Sequence, residues 1–319
     1  MNHLRIVNVW KSHLCKTLVK RLKLWLTFWL YSCFVGCIAV FIFSVPSVAQ
    51  ETGVVVKTPE VNFSLVSALA TTGTMSDIPL GLKVKLEKGW KIYWRSPGDA
   101  GLPPELTLTS KKSSDEQKLE MNFPVPTRFS LFGLDTYGYS DEVIFPLRLR
   151  GHEAGSPLDL RANVNALVCA DICIPVGGGL RLTLPSGALR TSPNALDIAR
   201  FSSLVPKIIP TGENQLVSLY FAQNPDRLIL DLAASVPRLI DAFIEAPTNG
   251  LSFAAPKEIA PNRYQIAVSG TGDSVGLLGQ RVGLTLKTAT QFWQIDSPVL
   301  ALANRGAHID VISILFILL

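Results

Sequence analysis

Cysteine is scarce in this chain, and most of what there is lies at one end. Of five cysteines in 319 residues, Cys15, Cys33 and Cys37 fall in the N-terminal segment, leaving Cys169 and Cys173 alone in the remainder. That excludes a fold built on a network of disulfides. Two sulfurs are also too few for a metal site, and the nearest histidine in sequence, His152, has no ligand-like spacing to either. No nicotinamide, flavin or nucleotide-binding motif occurs, so no cofactor is expected. Internal repeats, low-complexity tracts and long runs of charge are also missing.

The N-terminal segment explains the basic charge. Arg5, Lys11, Lys16, Lys20, Arg21 and Lys23 precede an apolar run from Leu24 to Val45, which ends in "PSVAQE". A basic flank, an apolar stretch and a small-x-small site with Ser47 and Ala49 make residues 1–49 a signal peptide, or a signal anchor given the length of the run. The basic flank stays in the cytoplasm and the rest is exported to the periplasm. The chain carries +5 and the leader's six basic residues supply +6, so the exported part is −1. Nucleic acid is therefore excluded as a partner on electrostatic grounds.

Beyond the leader, the texture is short β-branched and aromatic runs such as "GLKVKLEKGWKIYW", "EVIFPLRLR", "RLILDLAA" and "RVGLTLKTATQFW", each bounded by Gly, Pro, Asn or Asp. Such spacing predicts a mainly β chain of two immunoglobulin-like sandwiches, residues 50–190 and 211–302. Between them, "TSPNALDIARFSSLVPKIIP" predicts a helical connector over 191–210, capped by Ser192, with Pro193 in its first turn and Leu196, Ala199 and Leu204 on one face. Trp90, Tyr93 and Trp94 are expected in or beside the first core, Trp293 in the second, and Arg95, Pro97, Gly98, Pro103 and Pro104 in a loop. The apolar tail, 303–319, is too short to span a membrane as a helix.

The segment "NVNALVCADICIPVGGG", Asn163 to Gly179, carries the chemistry. Leu158, Leu160, Ala162, Val164, Ala166 and Val168 alternate with Asp159, Arg161, Asn163 and Asn165, which predicts a strand with one apolar face. Cys169 falls in register with the polar set, so its sulfur is expected to face solvent or a covering loop. Four residues of straight strand cover about 13 Å, whereas disulfide Cα atoms lie about 4.4–6.8 Å apart. A bond between the cysteines thus requires a turn at Ala170–Ile172. The loop it closes is short, contributing about 2 kcal/mol against about 4.7 for a hundred-residue loop. The pair reads as a redox switch or as a local structural disulfide. Disulfide exchange needs an attacking thiolate, a resolving thiol and access for a partner's sulfur, and a solvent-facing pair on a tight turn offers all three.

"LVCADICIP" resembles the cysteine segment of the periplasmic N-terminal domain of DsbD-type protein-disulfide reductases, most of all their ScsB-like branch. "GWKIYWRSPGDAGLPPEL" (Gly89 to Leu106), "FPVPTRFSLFGLDTYGYSDEVIFPL" (Phe123 to Leu147) and the second sandwich resemble the same branch, so the likeness covers almost all of residues 55–300. The resemblance implies that a membrane electron-transfer domain, supplied in trans, reduces the pair, and that the pair reduces a periplasmic thioredoxin-like protein. It gives Cys173 the attacking role and Cys169 the resolving one. It also implies a cap loop over the cysteines at Phe132 to Ser140, made pliable by Gly133 and Gly138, with Phe132, Tyr137 and Tyr139 as aromatic covers. The family's cap phenylalanine aligns with Thr136, and of its nearby carboxylates only Asp135 has a counterpart. The tail then stands where a transmembrane domain would begin. The contrasting reading is a non-catalytic envelope sandwich whose cysteines form a staple.

Overall fold

The computed structural model describes residues 53–109, 117–131, 133–210 and 216–302. The expected leader and tail lie outside these, as does Phe132. The first half holds β1 (Gly53–Val54), β2 (Val56–Lys57), β3 (Val61–Ser67), β4 (Ile78–Leu86), β5 (Lys91–Gly98) and β6 (Glu105–Leu108). It continues with β7 (Lys118–Met121), β8 (Thr127–Leu131), β9 (Leu134–Ser140), β10 (Glu142–Arg150), β11 (Leu158–Cys169) and β12 (Cys173–Leu184). After α1 (Ala195–Ser203) come β13 (Lys207–Ile209), β14 (Val217–Ala222), β15 (Arg227–Leu232), β16 (Leu239–Glu245) and β17 (Leu251–Phe253). The last strands are β18 (Lys257–Ala260), β19 (Arg263–Gly270), β20 (Arg281–Thr288) and β21 (Phe292–Ala301). The chain is mainly β, as its texture predicts, with immunoglobulin-like and barrel character.

Two sheets enclose the first core. One runs β1-β12-β11-β5-β9-β8 with β6 beside β11, and the other runs β2-β3-β4-β10-β7. Alternation sends Phe63, Leu80, Leu82, Trp94, Phe145 and Leu160 inward, all but unexposed, because each strand can bury only every second residue. The second half forms one continuous ladder, β16-β20-β21-β14-β15-β19-β17, around Leu219, Leu228, Leu230, Ile266 and Leu284. Trp293 packs partly buried against that second core.

The connector differs from its expected form. Asn194, not Ser192, occupies the cap position of α1, and the Ser192 hydroxyl instead donates to Ser67 O and accepts from the Asn194 N–H. Leu196 is 84% exposed, and the helix buries Ile198 and Phe201 in the first core. These two are three apart and share a face, and Leu196 projects from another side. From there β13 pairs in parallel with β21 and enters the second ladder.

The two halves also share side chains. Phe243 of β16 is fully buried within the first core, its ring 5.8 Å from Trp94 and 5.0 Å from Tyr137. Arg95 leaves its loop-shaping expectation behind: it pairs with Glu245 through two hydrogen bonds of 3.1 and 2.7 Å. Arg128 reaches Asp241 at 3.0 Å and also donates to Phe253 O and Ala242 O. Lys287 donates to Pro126 O at 2.9 Å.

Candidate functional site: a disulfide at a hairpin turn

The strands β11 and β12 form one long antiparallel hairpin whose register runs from Leu158 opposite Leu184 to Cys169 opposite Cys173. The chain reverses through Ala170, Asp171 and Ile172, with the Ala170 N–H donating to Ile172 O at 2.9 Å. Facing positions on adjacent strands bring the Cα atoms to 4.1 Å, and the sulfurs are joined in a disulfide. The turn that the sequence requires of a bonded pair is thus formed by the hairpin itself.

The two sulfurs are not equivalent. Cys173 is exposed, next to Ile172 at 62% exposure, whereas Cys169 has none. Cys169 does lie off the apolar core, as its register predicts, but it is covered rather than open to water. The cover is Tyr93, whose hydroxyl donates to Cys169 Sγ at 3.0 Å and stands 4.0 Å from Cys173 Sγ. On β5, Ile92 and Trp94 point into the core, so Tyr93 between them takes the opposite face, and β5 pairs with the cysteine end of β11. Tyr93 was expected merely to pack; its alternation with Ile92 and Trp94 is the signal for its true face. Burial raises the pKa of its phenol, which therefore stays protonated.

A loop from Gly98 to Pro104 closes over Tyr93. Gly101, at φ +120°, lies so close that a methyl group there would come within 2.4 Å of Tyr93 Cε1. The loop is held to β9 by reciprocal bonds of 2.9 Å: the Asp99 N–H donates to Asp135 O, and the Asp135 N–H donates to Asp99 Oδ2. The Asp135 carboxylate pairs with Arg128 at 3.1 Å, so this residue, a candidate for tuning thiols, anchors the loop that packs on Tyr93. Burial works against the Arg128 charge, but the hydrogen bond to Asp241 leads the contacts that hold its pKa above the usual value. A cavity of about 350 Å³ opens on the hairpin two positions from the cysteines, between Leu102 and Pro103 on one side and Asn165, Leu167 and Pro175 on the other.

Two of the aromatic covers expected from Phe132 to Ser140, Tyr137 and Tyr139, are placed otherwise. From Leu134 onward the stretch is strand β9, not a pliable loop, because it pairs with both β8 and β5. Tyr137 and Tyr139 point into the first core, where their hydroxyls donate to Phe253 O and Pro124 O. Burial raises the Tyr139 pKa well above its usual range. Thr136 is buried as well, and Gly133, at φ +77°, makes the turn before the strand. Among the described residues, no three His, Cys, Asp or Glu gather as a metal-binding group, and no helix is long and apolar enough to cross a membrane.

Comparisons with known proteins bear on the sandwich that carries this disulfide. Residues 64–185 match the family described as thiol:disulfide interchange protein DsbD, N-terminal. The crystal structure of the N-terminal periplasmic domain of ScsB from Proteus mirabilis superposes with a TM-score of 0.60 at 22% identity, covering 79% of this chain and all of that one. A search of curated proteins found no match. Together the family match and the Cys169–Cys173 bond point to a thiol-disulfide interchange module.

Proposed function

We propose that this chain relays electrons in the periplasm by dithiol-disulfide exchange, taking them from a membrane electron-transfer domain and passing them to a thioredoxin-like protein. The observation that carries the reading is the asymmetry of the pair: one sulfur exposed at a turn, the other covered and bonded to it. In the reduced form the Cys173 thiolate attacks the partner's disulfide, forms a mixed disulfide and releases one partner sulfur as thiolate. Cys169, as thiolate, then attacks Cys173 Sγ, closes the Cys169–Cys173 bond and releases the second partner sulfur. Two electrons pass to the partner, whose thiolates take protons from solvent. The membrane donor regenerates the dithiol by the reverse exchange.

Titration of the pair against a graded dithiol/disulfide buffer tests this. A relay disulfide is expected to reduce at a potential more oxidising than about −300 mV, and with the fold intact. A bond that stays closed until the domain unfolds would instead make it a staple in a non-catalytic envelope protein.

A further inference from the structure

We propose that Tyr93 is the positioning residue for the resolving half of the exchange, its hydroxyl holding Cys169 Sγ in place and favouring that sulfur's thiolate form. This rests on the relay reading and deepens it. The phenol is 3% exposed, and the two cysteine sulfurs are its hydrogen-bond partners. A buried hydroxyl needs a partner, and a disulfide sulfur is a weak acceptor, whereas a thiolate is a charged and much stronger one. The same hydrogen bond is therefore worth most once the pair is reduced and Cys169 is about to attack. Burial alone disfavours a charged sulfur and would slow resolution; a donor aimed at the sulfur acts in the opposite sense.

The surroundings leave this task to Tyr93. Other titratable or charged groups on the elements round Cys169 are Lys91 and Arg95 on β5, Asp171 in the turn, Cys173 on β12, Asp99 and Glu105 at the ends of the covering loop, and, at the far end of the hairpin, Asp159, Arg161 and Arg181; Arg95 is paired with Glu245. Lys91 carries its ammonium over the Phe129 ring, 5.3 Å from the centroid. Asp99 accepts the Asp135 N–H, and Asp171 and Glu105 are exposed. Gly101 adds an independent argument, since the backbone at that position has no room for a side chain unless the Tyr93 ring moves.

The test uses the full chain with Cys15, Cys33 and Cys37 changed to serine, reduced and mixed with 5,5′-dithiobis(2-nitrobenzoate). A first equivalent of coloured thiolate reports attack by Cys173 and a second reports resolution by Cys169; the added variant Cys169→Ser should give the first alone. In Tyr93→Phe, which keeps the ring, the first phase is expected unchanged and the second slowed about tenfold, as for loss of a hydrogen bond to a charged group. The pH midpoint of the second phase should rise by about one unit. Gly101→Ala, which displaces the ring, should act in the same direction if its thermal unfolding shows it folded. A second phase unchanged in rate and pH midpoint in Tyr93→Phe, or slowed without a shift of midpoint, would overturn the proposal. Absence of a second phase in the parent would remove the relay reading itself.

Discussion

Along the outer face of the β11–β12 hairpin, the same alternation of side chains meets two different environments. At the open end, Asp159, Arg161 and Arg181 stand in water and pair with one another. At the turn end, Cys169 occupies an equivalent outward position yet has no exposure, and Tyr93, itself packed under Gly101, is bonded to its sulfur. Register decides which face of a sheet a residue takes; the neighbouring strand and loop decide whether that face sees water. The covered end combines a bonded pair, a buried donor and one exposed sulfur, which is what exchange chemistry requires.

The largest effect should come from splitting the pair. Cys169→Ser leaves the exposed Cys173 able to attack but with nothing to release it, so it should accumulate a mixed disulfide with an oxidised thioredoxin-like partner on a non-reducing gel. Cys173→Ser leaves only the covered sulfur and should give little adduct. Trapping by Cys173→Ser alone would reverse the roles and show that burial does not choose the attacker.

The next effect tests how the cover is held. Its anchor runs from Asp99 through Asp135 to Arg128 and on to Asp241 of β16. The side chains of Arg128 and Asp241 are 12% and 14% exposed, so Arg128→Met deprives a largely buried carboxylate of its cationic partner. The expected cost is about 3–5 kcal/mol, read as a fall in thermal midpoint. Hydrogen exchange should quicken at Asp99 and Asp135 while the open end of the hairpin keeps its protection. Equal loosening at both ends would mean that the anchor supports the whole sandwich rather than the cover.

What was legible in the sequence follows the same division. The alternation from Leu158 to Val168 gives strand β11, its inner face and the outward register of Cys169, because these depend only on neighbours in the chain. The spacing of the cysteines dictates the turn once a bond is granted. The cover was not legible, since it depends on β5 pairing with β11 at Ile92 and Lys91, a contact between segments about 75 residues apart. For the same reason, Tyr137 and Tyr139 resembled exposed caps in "FGLDTYGYS" until β9 was seen to pair on both sides. Arg95 and Arg128 gave no sign of reaching β16, whose carboxylates come more than a hundred positions later.

The smallest effect should come at the open end, and it checks that the contrast is one of cover rather than charge. Asp159 accepts two hydrogen bonds from Arg181, at 2.7 and 3.0 Å, and one from Arg161 at 3.3 Å. The Arg181 bonds, ahead of Arg161, lower its pKa from the ordinary carboxylate value. A depressed folded-state pKa contributes stability that is fully present above the unfolded value, near about 3.9, and is lost as pH falls through the folded one. All three side chains are more than two-fifths exposed, so solvent screening reduces the effect to little. Asp159→Asn should therefore lower the thermal midpoint near neutral pH by only about 1 °C, less still at high salt, and the two proteins should converge in acid. A loss comparable to that of Arg128→Met would show that ion pairing on the open face stabilises the hairpin as strongly as the buried anchor does, and the distinction between its two ends would fail.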